Sequence, residues 1–373
     1  MQKVFESRPY QENIHKRAIE YLQKPRGEAI AKTLMIESPT GSGKTVMGLR
    51  LCHWLEQQGH KVGWIAHRKE LLKQAMEANK QFPFELESLT PISLFNRNPA
   101  QFSDCTVVLV DEAQHDAAQS ASILHEAIKP QIILGLTATP YRTDKAQLCF
   151  QKVIRDAGIH QLIREGYLAE FDQWVMEQEW TPENVARTYL EDPAKWGKSV
   201  IYFLTTVDAL KCAAILKAAG IRAGSVLGST KADIREQSLK DFKSGILQVI
   251  TNVAVLTEGF DEPTLKTAFV RPSSRGPTVQ MAGRAFRKYP GLPVVNIVQN
   301  QDSKYPFTRH ARAHGQYIQE HGVWRSISLQ NLEPIFAKQR IKVAGAICEM
   351  PEFLKKKAKQ GRFGGFEEST MDV

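Results

Sequence analysis

Short apolar runs alternate along the chain with longer amphipathic stretches, and this spacing predicts βα units that stack a parallel sheet between helices. In the first half the strand-like runs are Thr33 to Glu37, Lys61 to Ala66, Thr106 to Asp111 and Gln131 to Leu136. Helical stretches such as Lys44 to Gln58 and Lys69 to Gln81 fill the gaps. After Pro140 the pattern loosens through Tyr141 to Lys198, punctuated by Gly166, Pro182, Pro193 and Gly197, as a crossover and an inter-lobe linker require. The alternation then resumes at Ser199 to Leu204, Arg222 to Leu227, Leu247 to Asn252, Lys266 to Val270 and Pro293 to Val298.

The pattern therefore predicts two α/β domains, at residues 1–165 and 198–325, with a linker over 166–197 and a short basic extension over 326–373. Length agrees, because 373 residues exceed what one ordinary core organises. At 42% hydrophobic and 24% charged residues, the composition is globular and excludes a mainly disordered chain. No repeat or low-complexity tract is visible.

Charge adds a hint about partners. Forty-nine basic against forty acidic side chains leave +9, a balance that suits a polyanion through counterion release. Part of the excess is the run Lys355, Lys356, Lys357, Lys359 and Arg362, which also reads as a solvated helix end or tail. Five scattered cysteines and ten histidines without ligand spacing point to neither a structural zinc nor a disulfide framework. With no apolar N-terminal stretch and no run of membrane-spanning length, the expectation is a soluble protein of a reducing compartment such as a bacterial or phage-infected cytoplasm, with no membrane partner.

Three stretches carry chemistry. Ser38-Pro39-Thr40-Gly41-Ser42-Gly43-Lys44-Thr45 sits between a strand and a helix. Its glycines let backbone N–H groups turn toward phosphates, Lys44 neutralises β and γ oxygens, and the Thr45 hydroxyl can ligate Mg²⁺. Ser38 stands where the looser pattern has glycine, which requires a negative φ there. Next, the nearly all-apolar strand Thr106 to Val110 ends in Asp111-Glu112-Ala113-Gln114, which puts two carboxylates at the tip of a buried parallel strand. Asp111 is expected to hold Mg²⁺ through water and Glu112 to orient the attacking water. These two features establish nucleotide hydrolysis without specifying a motor. In the second half, Gln280-Met281-Ala282-Gly283-Arg284-Ala285-Phe286-Arg287 places two arginines three apart, expected on one face of a helix beginning near Pro277. Such guanidinium groups suit a transferring phosphoryl group presented from a separate lobe.

In this order the stretches resemble a superfamily-two helicase over about residues 4 to 300. Residues 38–45 resemble motif I, Asp111 to Gln114 motif II in a DEAQ spelling, and Thr137-Ala138-Thr139 motif III. Val253 to Asp261 resembles motif V, and Gln280 to Arg287 motif VI. The wording of the second half is most similar to RadD-like and other small bacterial or bacteriophage helicases, although the cysteine-rich element of longer relatives is lacking and Gln114 replaces their usual His.

The resemblance implies two tandem RecA-like domains with a nucleotide cleft between them, ATP and Mg²⁺ as cofactors, and a nucleic-acid partner, DNA that is single-stranded, forked or branched, with a monomer as the default state. It implies catalytic roles for Lys44, Asp111, Glu112, Gln280, Arg284 and Arg287. ATP contacts fall on Thr40 to Thr45, on Tyr10 packing on the base, on Gln11 at the base edge, and on Gly259 and Asp261 near the ribose or γ-phosphate. Thr45 and Asp111 serve the metal. His67, Arg68, Thr251 and Asn252 touch nucleic acid, and Gln114 with Thr137, Ala138 and Thr139 couples the two sites. An N-terminal cap remains the other reading of residues 8–11, and a charged helix start that of residues 66–71. The motifs do not separate a strand-separating helicase from a duplex translocase, an RNA helicase or an ATP-gated clamp. Arg309, His310, Arg312, His314 and Trp324 read either as an additional strand contact or as a helix and surface segments closing the second lobe.

Overall fold

The computed structural model describes residues 6–25, 31–83, 85–115, 119–140, 150–257 and 259–327. The basic run near the C-terminus, and all of the expected extension except Ser326 and Ile327, lie outside the described residues.

The first lobe opens with α1 (Pro9–Leu22) and continues through β1 (Lys32–Glu37), α2 (Lys44–Gln57), β2 (Val62–Ala66), α3 (Lys69–Gln81), β3 (Thr90–Ser93), β4 (Val107–Asp111), α4 (Gln119–Ile128), β5 (Ile132–Thr137) and β6 (Lys152–Arg155). Its six strands pair in the order β3-β2-β4-β5-β1-β6, all parallel. β2 and β4 are buried at every position, as strands covered by helices on both faces must be. All strands of a parallel sheet end on the same edge, so the segments following β1, β2, β3, β4 and β5 emerge side by side.

After α5 (Ile159–Arg164) the second lobe comprises β7 (Glu170–Met176), α6 (Pro182–Glu191), α7 (Pro193–Trp196), β8 (Ser199–Tyr202), α8 (Thr206–Ala218), β9 (Ala223–Val226), α9 (Ala232–Ser244), β10 (Val249–Asn252), β11 (Thr267–Phe269), α10 (Arg275–Gly283), β12 (Val294–Asn300), β13 (Gly315–Glu320) and β14 (Val323–Ser326). Its sheet runs β14-β13-β7-β12-β11-β8-β10-β9. The linker expected over 166–197 is therefore corrected. β7 is an interior strand paired in parallel with β12 and β13, and α6 begins behind Thr181, whose side chain accepts from Asn184 N. Polar residues in β7 hid it from a hydrophobicity reading. Gln173 is 2% exposed and matched by Gln299, a partner supplied by a strand far along the chain.

The expected helix after residue 305 is also corrected, because that segment forms one short 3-10 turn, Phe307–Arg309, followed by β13 and β14. Trp324 joins Trp174 and Trp196 around the Lys195 ammonium, which lies 3.3 Å from the Trp174 ring centre and 5.0 Å from that of Trp324. Tyr317 stacks on Trp174 at 3.8 Å, and His314 pairs with Asp172 at 3.0 Å. Trp324 and His314 thus serve the closing edge of the lobe. Among the described residues, no helix is long and apolar enough to cross a membrane.

Candidate nucleotide site between the lobes

Between β1 and α2 the chain turns through Gly41 (φ +82°) and Gly43 (φ +86°). This left-handed region costs a residue with a side chain about 1–2 kcal/mol. A Cβ at Gly43 would also stand 2.8 Å from Gln11 Nε2. Gly43 caps α2 without any side-chain hydrogen bond, which leaves the first N–H groups of that helix available to an anion. Ser38 does not adopt a left-handed conformation, so the serine in the glycine position is accommodated. Its buried hydroxyl donates to Ser42 Oγ at 2.7 Å and ties the two ends of the loop.

α1 braces the same loop. The Tyr10 hydroxyl donates to the Ser42 carbonyl at 2.6 Å, and Gln11 Nε2 donates to the same oxygen at 2.9 Å. Gln11 Oε1 accepts from Arg8 N at 3.0 Å, so Gln11 caps its helix and contacts the phosphate loop at once. Tyr10 departs from expectation. Its ring is 3% exposed and meets Tyr167 edge-on, with ring centres 5.5 Å apart, so it has no free face for a base. The half-buried aromatic at this corner is Tyr167, with the Arg8 guanidinium 5.1 Å from its ring centre. Sequence reasoning missed Tyr167 because it sits in an aperiodic junction whose approach to α1 is purely tertiary.

At the tip of β4, Asp111 and Glu112 are each 7% exposed, and Asp111 Oδ1 accepts from Glu112 N at 3.0 Å. Glu112 takes φ +54°, a conformation that costs a non-glycine residue about 1–3 kcal/mol and is held by its surroundings. Gln114 Nε2 donates to Glu112 Oε2 at 3.1 Å, and the Thr137 hydroxyl donates to Gln114 Oε1 at 2.7 Å. Thr137 Oγ1 in turn accepts from Thr139 N at 3.0 Å, across the half-buried Ala138. Thr139 faces the other lobe, since a Cβ at Gly276 in the first turn of α10 would lie 3.8 Å from Thr139 Cγ2. A chain of hydrogen bonds thus runs from the acid to Thr139, which stands opposite Gly276 of the second lobe.

The second lobe closes over the phosphate loop. Gly283 abuts Thr40 so closely that an added Cβ would stand 2.9 Å from Thr40 Cβ. α10 ends at Gly283, which corrects the expectation that Arg284 and Arg287 share a helix face. Arg284, 7% exposed, donates from Nε to the Thr257 carbonyl at 2.9 Å and from Nη1 to the Phe260 carbonyl at 3.1 Å. It ties Thr257 to Phe260 and is largely committed to their carbonyls. Arg287 pairs with Asp261, and its Cγ would be 3.8 Å from a Cβ at Gly41. Burial pulls the Arg287 pKa down to about 10. Gln280 is 9% exposed within α10.

Burial likewise pushes the Lys44 ammonium below the ordinary lysine range, with Glu112 and Asp111 opposing that shift and Arg284 and Arg287 reinforcing it. One lysine thus senses both carboxylates of its own lobe and both arginines of the other. Because burial outweighs the two acids, a bound polyanion would complete the compensation.

Other expected contacts are placed differently. Gly259 packs on Leu71 of α3, where a Cβ would meet Leu71 Cδ2 at 3.1 Å, and its carbonyl accepts from Gln74. It is a lobe-to-lobe contact in this arrangement. Arg68 donates to the Val255 carbonyl and, at 3.2 Å, to that of Ala254. Its guanidinium joins the end of β2 to the loop after β10, while His67 lies half-buried beside it. Thr251 and Asn252 are 0% exposed. Thr251 Oγ1 donates to the Ala209 carbonyl at 2.8 Å and Asn252 Nδ2 to that of Ile201 at 3.2 Å, so neither side chain reaches the surface for a nucleic acid.

Comparison with known proteins agrees with this architecture. The family described as Type III restriction enzyme, res subunit, matches residues 4–91, and the helicase conserved C-terminal domain matches residues 184–289. A 51.5 kDa protein of a Lactococcus phage is 25% identical over 64% of this chain and 59% of its own length. The putative mitochondrial ATP-dependent helicase irc3 of Schizosaccharomyces pombe is 24% identical over 76% of this chain and 55% of its own. The chain thus spans somewhat over half the length of these relatives. A fragment structure of a putative HsdR subunit of a type I restriction enzyme from Vibrio vulnificus superposes with a TM-score of 0.62 at 15% identity, covering 86% of this chain and 70% of that one. These matches do not carry the finer likeness to RadD-like helicases. With two sheets of the expected kind, a phosphate loop and acid pair in one lobe, an arginine pair in the other, and both family matches in order along the chain, the protein belongs to the superfamily-two helicases.

Proposed function

We propose that this chain is a nucleic-acid-dependent ATPase that moves on or remodels DNA, with ATP hydrolysed in the cleft between the lobes. One observation carries the proposal: the second lobe meets the glycine-rich loop directly, with Gly283 against Thr40 and Arg287 beside Gly41, in the lobe that also holds the nearly buried Asp111 and Glu112. A site divided in this way is complete only when the lobes are closed, which links bond cleavage to their relative movement.

Each residue then has a task. Backbone N–H groups from Gly41 to Thr45 bind the phosphates, and Lys44 neutralises the β and γ oxygens. Glu112, steadied by Gln114, orients the attacking water and receives its proton. Arg287 exchanges Asp261 for the developing charge on the γ-phosphoryl group, while Arg284 positions the loop that carries Asp261. Thr45 and the nearly buried carboxylate of Asp111 would hold Mg²⁺, which when bound neutralises charge on the phosphate oxygens. Two protein ligands suit this ion, which takes its remaining ligands from phosphates and water. The Gln114, Thr137 and Thr139 chain carries the state of the γ-phosphate toward α10. Grip on DNA through phosphates makes movement largely indifferent to sequence and sensitive to salt.

The test is ATP turnover measured with single-stranded, duplex, forked and branched DNA and with RNA, each at two salt concentrations. Lys44→Ala is expected to abolish turnover, and Arg287→Ala to retain ATP binding but lose stimulation. Normal turnover by Lys44→Ala overturns the proposal, and stronger stimulation by RNA than by every DNA overturns the choice of DNA.

A further inference from the structure

Among the described residues, Phe95 is an aromatic side chain that the fold leaves 65% exposed. Isolated apolar residues on a surface are ordinary, and what distinguishes Phe95 is its placement. Phe95 follows β3 at the carboxyl edge of the first sheet, the edge that binds ligands in open α/β sheets. β3 is the terminal strand and pairs with β2 in the register Ala66↔Ser93, so Phe95 emerges beside His67 and Arg68.

The turn that presents it is firmly built. Leu94 N donates to the Ala66 carbonyl at 3.0 Å, Asn96 N to the Ser93 carbonyl at 3.0 Å, and Asn98 N to Asn96 Oδ1 at 2.7 Å. Leu94 is 3% exposed and anchors the turn in the core, while its neighbour Phe95 projects outward. From Thr90 to Phe102 the segment has one charged residue, Arg97, which is basic and exposed. Charge and ring together suit a polyanion that carries flat apolar faces.

The surface continues into the second lobe. Arg68 bonds the Ala254 carbonyl at 3.2 Å, so the carboxyl edges of the two sheets meet at β2 and β10. β8 lies beside β10, and Leu204 and Val207, 70% and 72% exposed, follow its carboxyl end. Exposed apolar side chains therefore flank the basic junction on both sides.

We infer that Phe95 is a stacking platform for an unpaired base of a DNA strand that crosses the carboxyl edges of the two sheets. This rests on the nucleic-acid reading above and adds to it a contact with bases, distinct from grip on phosphates. Stacking tolerates any base, so the contact favours single strands over duplex without reading sequence.

The experiment is fluorescence anisotropy of a labelled oligodeoxythymidine bound to the whole chain over a salt series, with a duplex and an oligouridine as parallel arms. Phe95→Ala is expected to weaken single-strand binding about tenfold with the slope against log salt unchanged, and to leave duplex binding nearly as it was. Arg97→Ala is expected to reduce that slope. Phe95→Trp is expected to restore affinity and to add an indole emission that the oligonucleotide quenches. Equal single-strand affinity for wild type and Phe95→Ala, or an unquenched indole in Phe95→Trp, overturns the inference. An equal loss on duplex shows a general surface effect and overturns it as well. Absence of binding by wild type to every nucleic acid instead removes the functional reading on which it stands.

Discussion

Replacing Thr137 by Val tests whether the acid at the tip of β4 is mechanically joined to the second lobe. The side chain is 0% exposed and nearly isosteric with valine, so little changes except the hydroxyl. That hydroxyl donates to Gln114 Oε1 at 2.7 Å and accepts from Thr139 N at 3.0 Å. Removing it leaves two polar groups to find new partners in a crowded place. An unsatisfied buried group costs about 1–3 kcal/mol, whereas a satisfied bond contributes only about 0.5–1.5 kcal/mol. A loss of about 1–3 kcal/mol in unfolding free energy is therefore expected, read from urea titration. The functional consequence follows from Gln114, which also donates to Glu112 Oε2 at 3.1 Å. Once Thr137 no longer fixes the amide, the carboxylate proposed to orient water loses its brace. If about 1.4 kcal/mol of that brace is expressed in the transition state, nucleic-acid-stimulated turnover falls about tenfold. The affinity for ATP, set by the phosphate loop, is expected to change little, and Thr137→Ser to restore both stability and stimulation. A Val variant that loses stability but keeps wild-type stimulation would show that the hydrogen bonds serve packing alone, and the coupling argument would fail.

Two further outcomes follow from the same neighbourhood. Gly43→Ala must place a side chain at φ +86° and 2.8 Å from Gln11 Nε2, so ATP affinity measured with a fluorescent analogue is expected to fall at least tenfold, and an unchanged affinity would contradict the loop geometry. His15, on the helix that braces the loop, is held neutral by burial with Arg50 adding to the effect, and its pKa falls to about 4. Its folded pKa lies below the unfolded value near 6.5, so its contribution is full above about pH 6.5 and is lost as pH falls toward 4. Solvent screening of this partly exposed group keeps the loss at no more than about 2 kcal/mol. The urea midpoint of wild type should drop over that window more steeply than that of His15→Phe, and parallel curves would dismiss the histidine as the cause.

Local order was legible because it is encoded locally. Each strand run expected from hydrophobic spacing coincides with a strand, and α2 and α3 begin at the expected residues, Lys44 and Lys69. The turn through Gly41 and Gly43 and the acids at the tip of β4 were equally visible, since a left-handed turn demands glycine and a buried strand demands an apolar run before its acids. β3, β6, β7, β13 and β14 escaped notice. Pro91 interrupts β3, and β7 carries Asp172 and Gln173, which are met by His314 and Gln299 from far along the chain.

Partnership was decided by tertiary structure. The sequence named Arg284 and Arg287 as equals, yet one is bonded to the carbonyls of Thr257 and Phe260 while the other lies over Gly41. α10 stops at Gly283, so the two arginines do not share a helix face and each finds its own partners. Thr251 and Asn252, expected to touch nucleic acid, are buried donors within the second lobe, and Tyr10, expected to pack on a base, braces the glycine-rich loop beside the half-buried Tyr167. Residue types along the chain determine which chemistry is available. Which atom faces which depends on contacts between segments separated along the chain, within a lobe as for Thr251 and Asn252 or between lobes as for Arg287 and Gly41, and those exist only once the chain has folded.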